Sequence, residues 1–537
     1  MKKIYLLLLS FVLGTTIFTS SCAKRGTITG GAKDTISPKI VSSSPKNFNT
    51  NFKSNEIKIN FDELIKVKDI NKQLIISPPF KKQPIIVPQG SASKFISIKI
   101  LDTLKPNTTY SFNFGQSITD NNEGNPYSQF KYVFSTGTYI DSLALFGTIK
   151  DAYEEKPDNF VSIQLYDAAA YKDSTAYNEV PLYVTNTLDS LKNFTFENLK
   201  AGDYKIIALK DKNNNYKYDP KTDKIAFLEQ AITLPNDSLT IYELELFKEK
   251  AVFKVDKPIQ QTNNKFYMGF QGDPKNAKIT ALMGEETIPL KMTKFPDKGK
   301  DSVQLFLPIV KPDSLVITVS NGDYSKSFKT KVKELKETDS LEIQTSQRNL
   351  NFRDRFTLKS KTPLNSIEKN KIKLLNKDSV AIDFDFIYKE FEQEIVFDFK
   401  KEENEKYAMQ ILPEAIEDFY NTKNDSLSFS FSTKALSDYG NLKVTVKNVN
   451  RYPYIVEILT DKGDVIASEI RENNDSVFFE SVEPRIYTLR IIYDDNKNGV
   501  WDTGNFLEKK QAEQIIYYPK KIDVRANWDV EQEFLLE

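Results

Sequence analysis

The stretch Tyr487–Asn505, YTLRIIYDDNKNGVWDTGN, decides how this chain is read, because the chain says it twice. Asp494, Asn496, Asn498 and Asp502 stand at places one, three, five and nine of a loop, and Asp211, Asn213, Asn215 and Asp219 repeat that spacing 283 residues earlier (494 less 211). The lead-in repeats as well. Tyr487 precedes its loop by seven residues and Phe479 precedes Tyr487 by eight; Tyr204 and Phe196 hold the same places before the earlier loop. Shared flanks mark a duplicated module, not two chance loops.

Working outward, 537 residues are too many for one core, and domains of about 100 to 150 residues make four or five. Short runs rich in Ile, Val, Phe, Tyr and Thr alternate with Asn, Asp, Gly and Pro clusters, which predicts an all-β chain. The 74 basic and 74 acidic residues are interspersed, so no electrostatic footprint for nucleic acid is present. With no His and Cys22 as the sole cysteine, Ser-His-Asp and Cys-His catalysis, His-ligated zinc, thiolate metal sites and intrachain disulfides are excluded.

The segment FTFENLKAGDYKIIALKDKNNNYKYD belongs to residues 142–248, and its second copy to residues 440–537. A strand, a Leu199–Gly202 turn, a Tyr-led strand and an acidic loop resemble the prealbumin-like sandwiches known as carboxypeptidase regulatory-like and Cna-B-like modules. Residues 38–138 carry Pro38, alternating Ile57, Ile59 and Phe61, LKPNTTYSFNF (104–114) and FKYVFSTG (130–137). This pattern resembles the bacterial Ig-like domain of the type named for the S-layer protein SbsA, in which Tyr110 would be a buried corner tyrosine. FTLKSKTPLNSI and FSFSTK repeat it in degenerate form within 347–436, where Tyr407 to Ser432 has the same span as Tyr110 to Ser135. Residues 249–346 read as a β-sandwich of unassigned type. The order Ig, prealbumin, middle, Ig, prealbumin implies a duplicated two-domain unit, expected to extend as a semi-rigid row.

At the start, Met1–Lys3 form a basic region, Ile4–Phe18 an apolar one, and Thr19–Ser21 a small-residue stretch before Cys22. This resembles a bacterial lipoprotein signal of the Bacteroidota kind, which implies removal of residues 1–21 and acylation of Cys22. Residues 22–37 would then be a flexible tether from the membrane. The competing reading is an ordinary secretory signal with an incidental cysteine. Ala23 after the cysteine favours the outer membrane; Lys24 and Arg25 leave the leaflet open.

D-x-N-x-N-G-x-x-D can offer calcium the side-chain oxygens of Asp494, Asn496, Asn498 and Asp502 and the Val500 carbonyl, with Asp211, Asn213, Asn215 and Asp219 as a poorer copy. No Glu stands at place twelve, where Asn505 and Thr222 are found. The alternative is that these residues build Asx turns, with no metal. Trp501 and Trp528, the only tryptophans, are candidate partner-binding residues, as sandwich core or as an exposed platform. Asp62 and Glu63 are neighbours on a strand and point to opposite faces, so they cannot flank one glycosidic bond. The resulting expectation is a non-enzymatic, outer-membrane lipoprotein serving as a binding or scaffolding subunit of an envelope protein complex for outer-membrane protein assembly, secretion or uptake. The alternatives are a carbohydrate-binding adhesin and, less favoured, an envelope enzyme.

Overall fold

The computed structural model describes residues 33–189, 192–236, 240–297, 301–311 and 313–536. The expected signal peptide and Cys22 lie outside the described residues. No helix among the described residues is long and apolar enough to cross a membrane. The architecture is all-β, with antiparallel sheets packed in pairs as alternating strands require.

In the first pair, the strands Ile40–Ser44, Glu56–Val67, Ser93–Lys99 and Ile85–Val87 pack on Ile75–Ser77, Thr109–Asn113 and Lys131–Ser135. Glu56–Val67 shows why: Ile57, Ile59 and Phe61 point into the core while Lys58 faces out. Tyr110 is buried, and its hydroxyl accepts the Lys105 backbone N–H at 2.8 Å. Tyr407 does the same for Glu402 in the fourth pair. The last residues of the expected tether are not loose. Ser37 donates to the Pro126 carbonyl at 2.8 Å, and Asn125 donates to the Asp34 carbonyl at 3.0 Å.

The second and fifth pairs share one topology. Tyr183–Asn186, Ser162–Asp167, Gly202–Lys210 and Lys224–Phe227 lie over Asn193–Leu199, Leu143–Asp151 and Ile241–Leu246; Val465–Arg471, Tyr454–Leu459, Arg485–Tyr493 and Ile515–Tyr517 lie over Ser476–Val482, Gly440–Lys447 and Asp529–Leu535. Each smaller sheet ends in a parallel pair, Leu143–Asp151 with Ile241–Leu246 and Gly440–Lys447 with Asp529–Leu535. Tyr204 and Tyr487 each donate to the carbonyl four residues upstream, Lys200 and Glu483. The third and fourth pairs have their own cores, built around Phe266, Leu305 and Ile317 and around Phe356, Ile395 and Phe431.

The expected row of sandwiches is corrected by the contact between the second and the fifth. The fifth folds back onto the second, because the larger sheet of the second carries outward apolar side chains that Phe506 and Trp501, from the segment after Arg485–Tyr493, cover. Tyr166, Ile207, Leu209, Phe227 and Phe247 of the second sandwich form one buried cluster with Phe506, and Trp501 packs against it. Phe227 and Phe506 meet edge to face at 5.3 Å. Gly504 permits the approach: a Cβ there would lie 2.6 Å from the Lys510 carbonyl and 2.7 Å from the Phe247 ring.

Arg490 closes this contact. It is 2 % exposed and stands in the register place of Ile207, since Ile207 pairs with Gln164 and Arg490 with Glu457. Its guanidinium meets Glu457 at 2.7 Å and the Tyr517 hydroxyl at 3.1 Å, and reaches across to the Tyr153 carbonyl and hydroxyl at 3.3 and 3.1 Å. Burial works against its charge, but the Tyr153 and Tyr517 hydrogen bonds and Glu457 hold its pKa above the usual value. Removing one member of such a pair strands the other in a dry site. Arg490→Ala should therefore cost about 3 to 5 kcal/mol in the unfolding transition that Trp501 fluorescence reports. Urea titration measures it, and a loss below about 1 kcal/mol would mean that Glu457 recovers water on its own.

Candidate functional site

The duplicated loops sit at the ends of equivalent strands, Gly202–Lys210 and Arg485–Tyr493. Asp494 accepts the backbone N–H of Asn498 at 3.0 Å and of Gly499 at 2.8 Å; Asp211 accepts those of Asn213 and Tyr216 at 2.9 and 2.7 Å. The sixth place is left-handed in both, Gly499 at φ 79° and Tyr216 at φ 59°. Glycine adopts that conformation freely and tyrosine only when its surroundings impose it. Here Tyr216 packs against Ile75, Val184 and Leu188.

Two acids that the spacing argument missed brace these loops. Glu513 accepts the Asp502 N–H at 2.8 Å and the Asn496 N–H at 3.3 Å. Asp223 does the same work in the first copy, accepting the N–H of Asp219 at 3.0 Å and of Lys212 at 3.1 Å. Glu513 follows place nine by eleven residues and Asp223 by four, so no fixed spacing reveals them. Burial and the nearby carboxylates Asp494 and Asp502 push the Glu513 carboxyl up.

The copies then diverge. Asp502 is 7 % exposed and takes the Lys250 ammonium from the segment that follows the second sandwich, along with the side-chain amides of Asn496 and Asn498. The hydrogen bond from Lys250, those from the two amides and the Lys250 charge hold the Asp502 carboxyl below the ordinary carboxylate range. Two further bonds fasten the same seam: the Thr503 hydroxyl to the Lys248 carbonyl at 2.7 Å, and the Phe506 N–H to Glu249 at 2.7 Å. The 494–502 loop is thus a clasp between sandwiches.

The oxygens offered as possible calcium ligands accept N–H donors and an ammonium. Asn498 Oδ1 accepts the Val500 N–H at 2.9 Å, and Asn215 and Asp219 accept those of Lys217 and Lys221 at 2.8 and 3.0 Å. Among the described residues no three His, Cys, Asp or Glu side chains are grouped to hold a metal ion. These hydrogen bonds are those of Asx turns.

The two tryptophans part company. Trp501 is half-buried, its ring 4.8 Å from Tyr153 and its indole N–H on the Glu513 carbonyl at 2.9 Å. Trp528 is 59 % exposed, with the Arg525 guanidinium 5.4 Å from its ring. They do not form an exposed pair. A cleft of about 580 Å³ between the first and second sandwiches is lined by Tyr110, Tyr166 and Tyr171 and by the acids Asp102, Asp167 and Glu179. Asp102 accepts the Lys81 N–H at 2.6 Å, and Asp167 accepts the Ala169 N–H at 2.9 Å as a turn acceptor.

Residues 34–136 match the family described as bacterial Ig-like domain. No curated protein matches the chain. Among solved structures it is similar to the S-layer protein rSbsC(31-844), at 13% identity over 91% of this chain and 67% of that one, with a TM-score of 0.14. It is also similar to SGBP-B of the Bacteroides ovatus mixed-linkage glucan utilization locus, in complex with a heptasaccharide, at 11% identity over 72% and 94% with a TM-score of 0.18. BcpA, the major pilin subunit of Bacillus cereus, aligns at 11% identity over 73% and 98% with a TM-score of 0.14. Likeness at such scores carries no weight for function.

The clasp has a pH signature. A carboxylate whose folded pKa lies below its unfolded value of about 3.9 stabilises fully above that value, and the contribution is lost as pH falls through the folded pKa. Lys250→Ala removes the largest cause of the depression at Asp502, so acid opening should begin at higher pH than in the parent chain. Trp501 fluorescence in a Trp528→Phe background reads the midpoint; coincident midpoints would mean that Asn496 and Asn498 hold Asp502 without the lysine. Because Lys250 supplies positive charge, exchanging EDTA for millimolar calcium should leave the melting temperature unchanged. A rise growing with the logarithm of calcium concentration would instead establish metal binding.

Proposed function

We propose that the chain is a non-enzymatic binding or scaffolding subunit of an envelope protein complex, held at the outer membrane by a lipid on Cys22. The observation that carries this reading is the fold-back contact. Arg490, Phe506 and the Lys250–Asp502 clasp bind the second sandwich to the fifth, turning linked domains into one broad block. A block of this kind holds its surface strands and loops in fixed relative positions, and preorganised surfaces lose less entropy on binding a partner.

The clients that suit this reading are membrane proteins engaged in outer-membrane protein assembly, secretion or uptake. A lipid on Cys22 would keep such a subunit at the bilayer while leaving its sandwiches free to engage them. The matched Ig-like region and the absence of His and of free Cys beyond Cys22 agree with a role in binding. The glycan reading rests on Trp528 and Arg525 alone, because Trp501 is committed to Tyr153.

Mild crosslinking and affinity capture of the tagged, full-length chain from detergent-solubilised outer membranes tests the proposal. The expected result is a membrane protein recovered in near-stoichiometric amount. Recovery of the chain alone would overturn the subunit reading and favour the glycan one, to be followed on a sugar array with Trp528→Ala as control.

A further inference from the structure

The internal duplication supplies a direct comparison between two equivalent sheet edges. In the second sandwich the edge strand Tyr183–Asn186 is covered by the first sandwich. Ile75 packs with Val184 and Leu188 in a small buried cluster, and the outward N–H of Val184 donates to the Ser77 hydroxyl at 3.1 Å. An aliphatic side chain and, two residues later, a hydroxyl thus close this edge.

The equivalent edge in the fifth sandwich is Val465–Arg471. Val184 pairs with Gln164 and Ser468 pairs with Glu457, and Gln164 and Glu457 face Ile207 and Arg490, which are 283 residues apart. Ser468 therefore stands where Val184 stands. This edge pairs with no strand on its other side among the described residues. It nevertheless carries the apolar side chains such a contact needs. Ile466 is 40 %, Ile470 46 % and Val500 57 % exposed, and Ile470 lies over Gly499, the counterpart of Tyr216. The edge strand Tyr324–Lys331 of the third sandwich carries three lysines, Lys326, Lys329 and Lys331, whereas the charges on Val465–Arg471, Glu469 and Arg471, pair with each other at 3.8 Å and leave Ile466 and Ile470 as outward apolar groups.

We propose that the Val465–Arg471 edge, with Ile470 and Val500, is a docking site for a β-edge of a second protein, one presenting an aliphatic side chain and a following hydroxyl as Ile75 and Ser77 do within this chain. This inference rests on the binding-subunit reading and names the surface it would use. The partner's aliphatic side chain covers Ile470 and Val500, and its hydroxyl accepts the outward N–H of Ser468. Burial of Ile470 supplies most of the gain, because an exposed apolar side chain at such a centre is worth more than a rim charge.

The test places p-benzoylphenylalanine at Val465 in the full-length chain and irradiates intact envelopes. The expected result is an adduct with another protein whose crosslinked peptide maps to an exposed edge strand. The adduct should fall about tenfold in Ile470→Lys, a substitution at an exposed site that should leave the melting temperature unchanged. Ile466→Lys serves as the second variant. An adduct with a second copy of the chain, an adduct mapping away from any strand edge, an adduct insensitive to both lysines, or no adduct would each overturn the proposal. If wild-type capture still recovers a membrane protein while the edge yields no adduct, the docking edge alone fails and the subunit reading stands.

Discussion

A buried guanidinium sets the arrangement of this molecule. Arg490 lies in the contact between two sandwiches 2 % exposed, with Glu457 on its own sheet and Tyr153 in a loop of the other sandwich. In a dry contact an unpaired charge is far more costly than an unpaired apolar group. The fifth sandwich can bury Arg490 only where Tyr153 is available to receive it, so the contact has one register. The apolar cluster around Phe227 and Phe506 supplies cohesion without direction. Arginine supplies the direction, through a planar fork that accepts few geometries.

The loops on which the sequence reading began serve that contact. Both are closed by Asx turns, both turn left-handed at the sixth place, and both are braced by a downstream acid. Duplication preserved the turn while its outward use changed. The first loop offers Tyr216 to the first sandwich; the second offers Asp502 to Lys250 and Trp501 to Tyr153. Where the second sandwich has the pair Gln164 and Ile207, the fifth has Glu457 and Arg490 at the same two register positions.

Much of this was legible in the chain. The alternation of Ile57, Ile59 and Phe61 and the all-β class follow from local rules, since strand alternation and turn chemistry depend on neighbours in sequence, while the corner role of Tyr110 came from the Ig-like resemblance. The repeated loops disclosed a repeated module because a duplicated module keeps its spacing. Glu513 and Asp223 were not legible, since each returns from a different distance along the chain to meet the backbone N–H at place nine. The sequence left Trp501 open between core and exposed platform, because nothing local distinguishes an indole facing solvent from one packed on Tyr153.

By itself, then, the sequence determined the strands, their inward faces, the turns that join them and the fact of duplication, all of which are set by interactions within a few residues or by periodicity. Only the tertiary structure decided that the modules fold back on one another, that Lys250 closes on Asp502 some 250 residues away, and that the Val465–Arg471 edge is left open while its twin is covered. The physical reason is that burial, desolvation and ion pairing between distant segments depend on which surfaces meet, and a one-dimensional pattern does not carry that information.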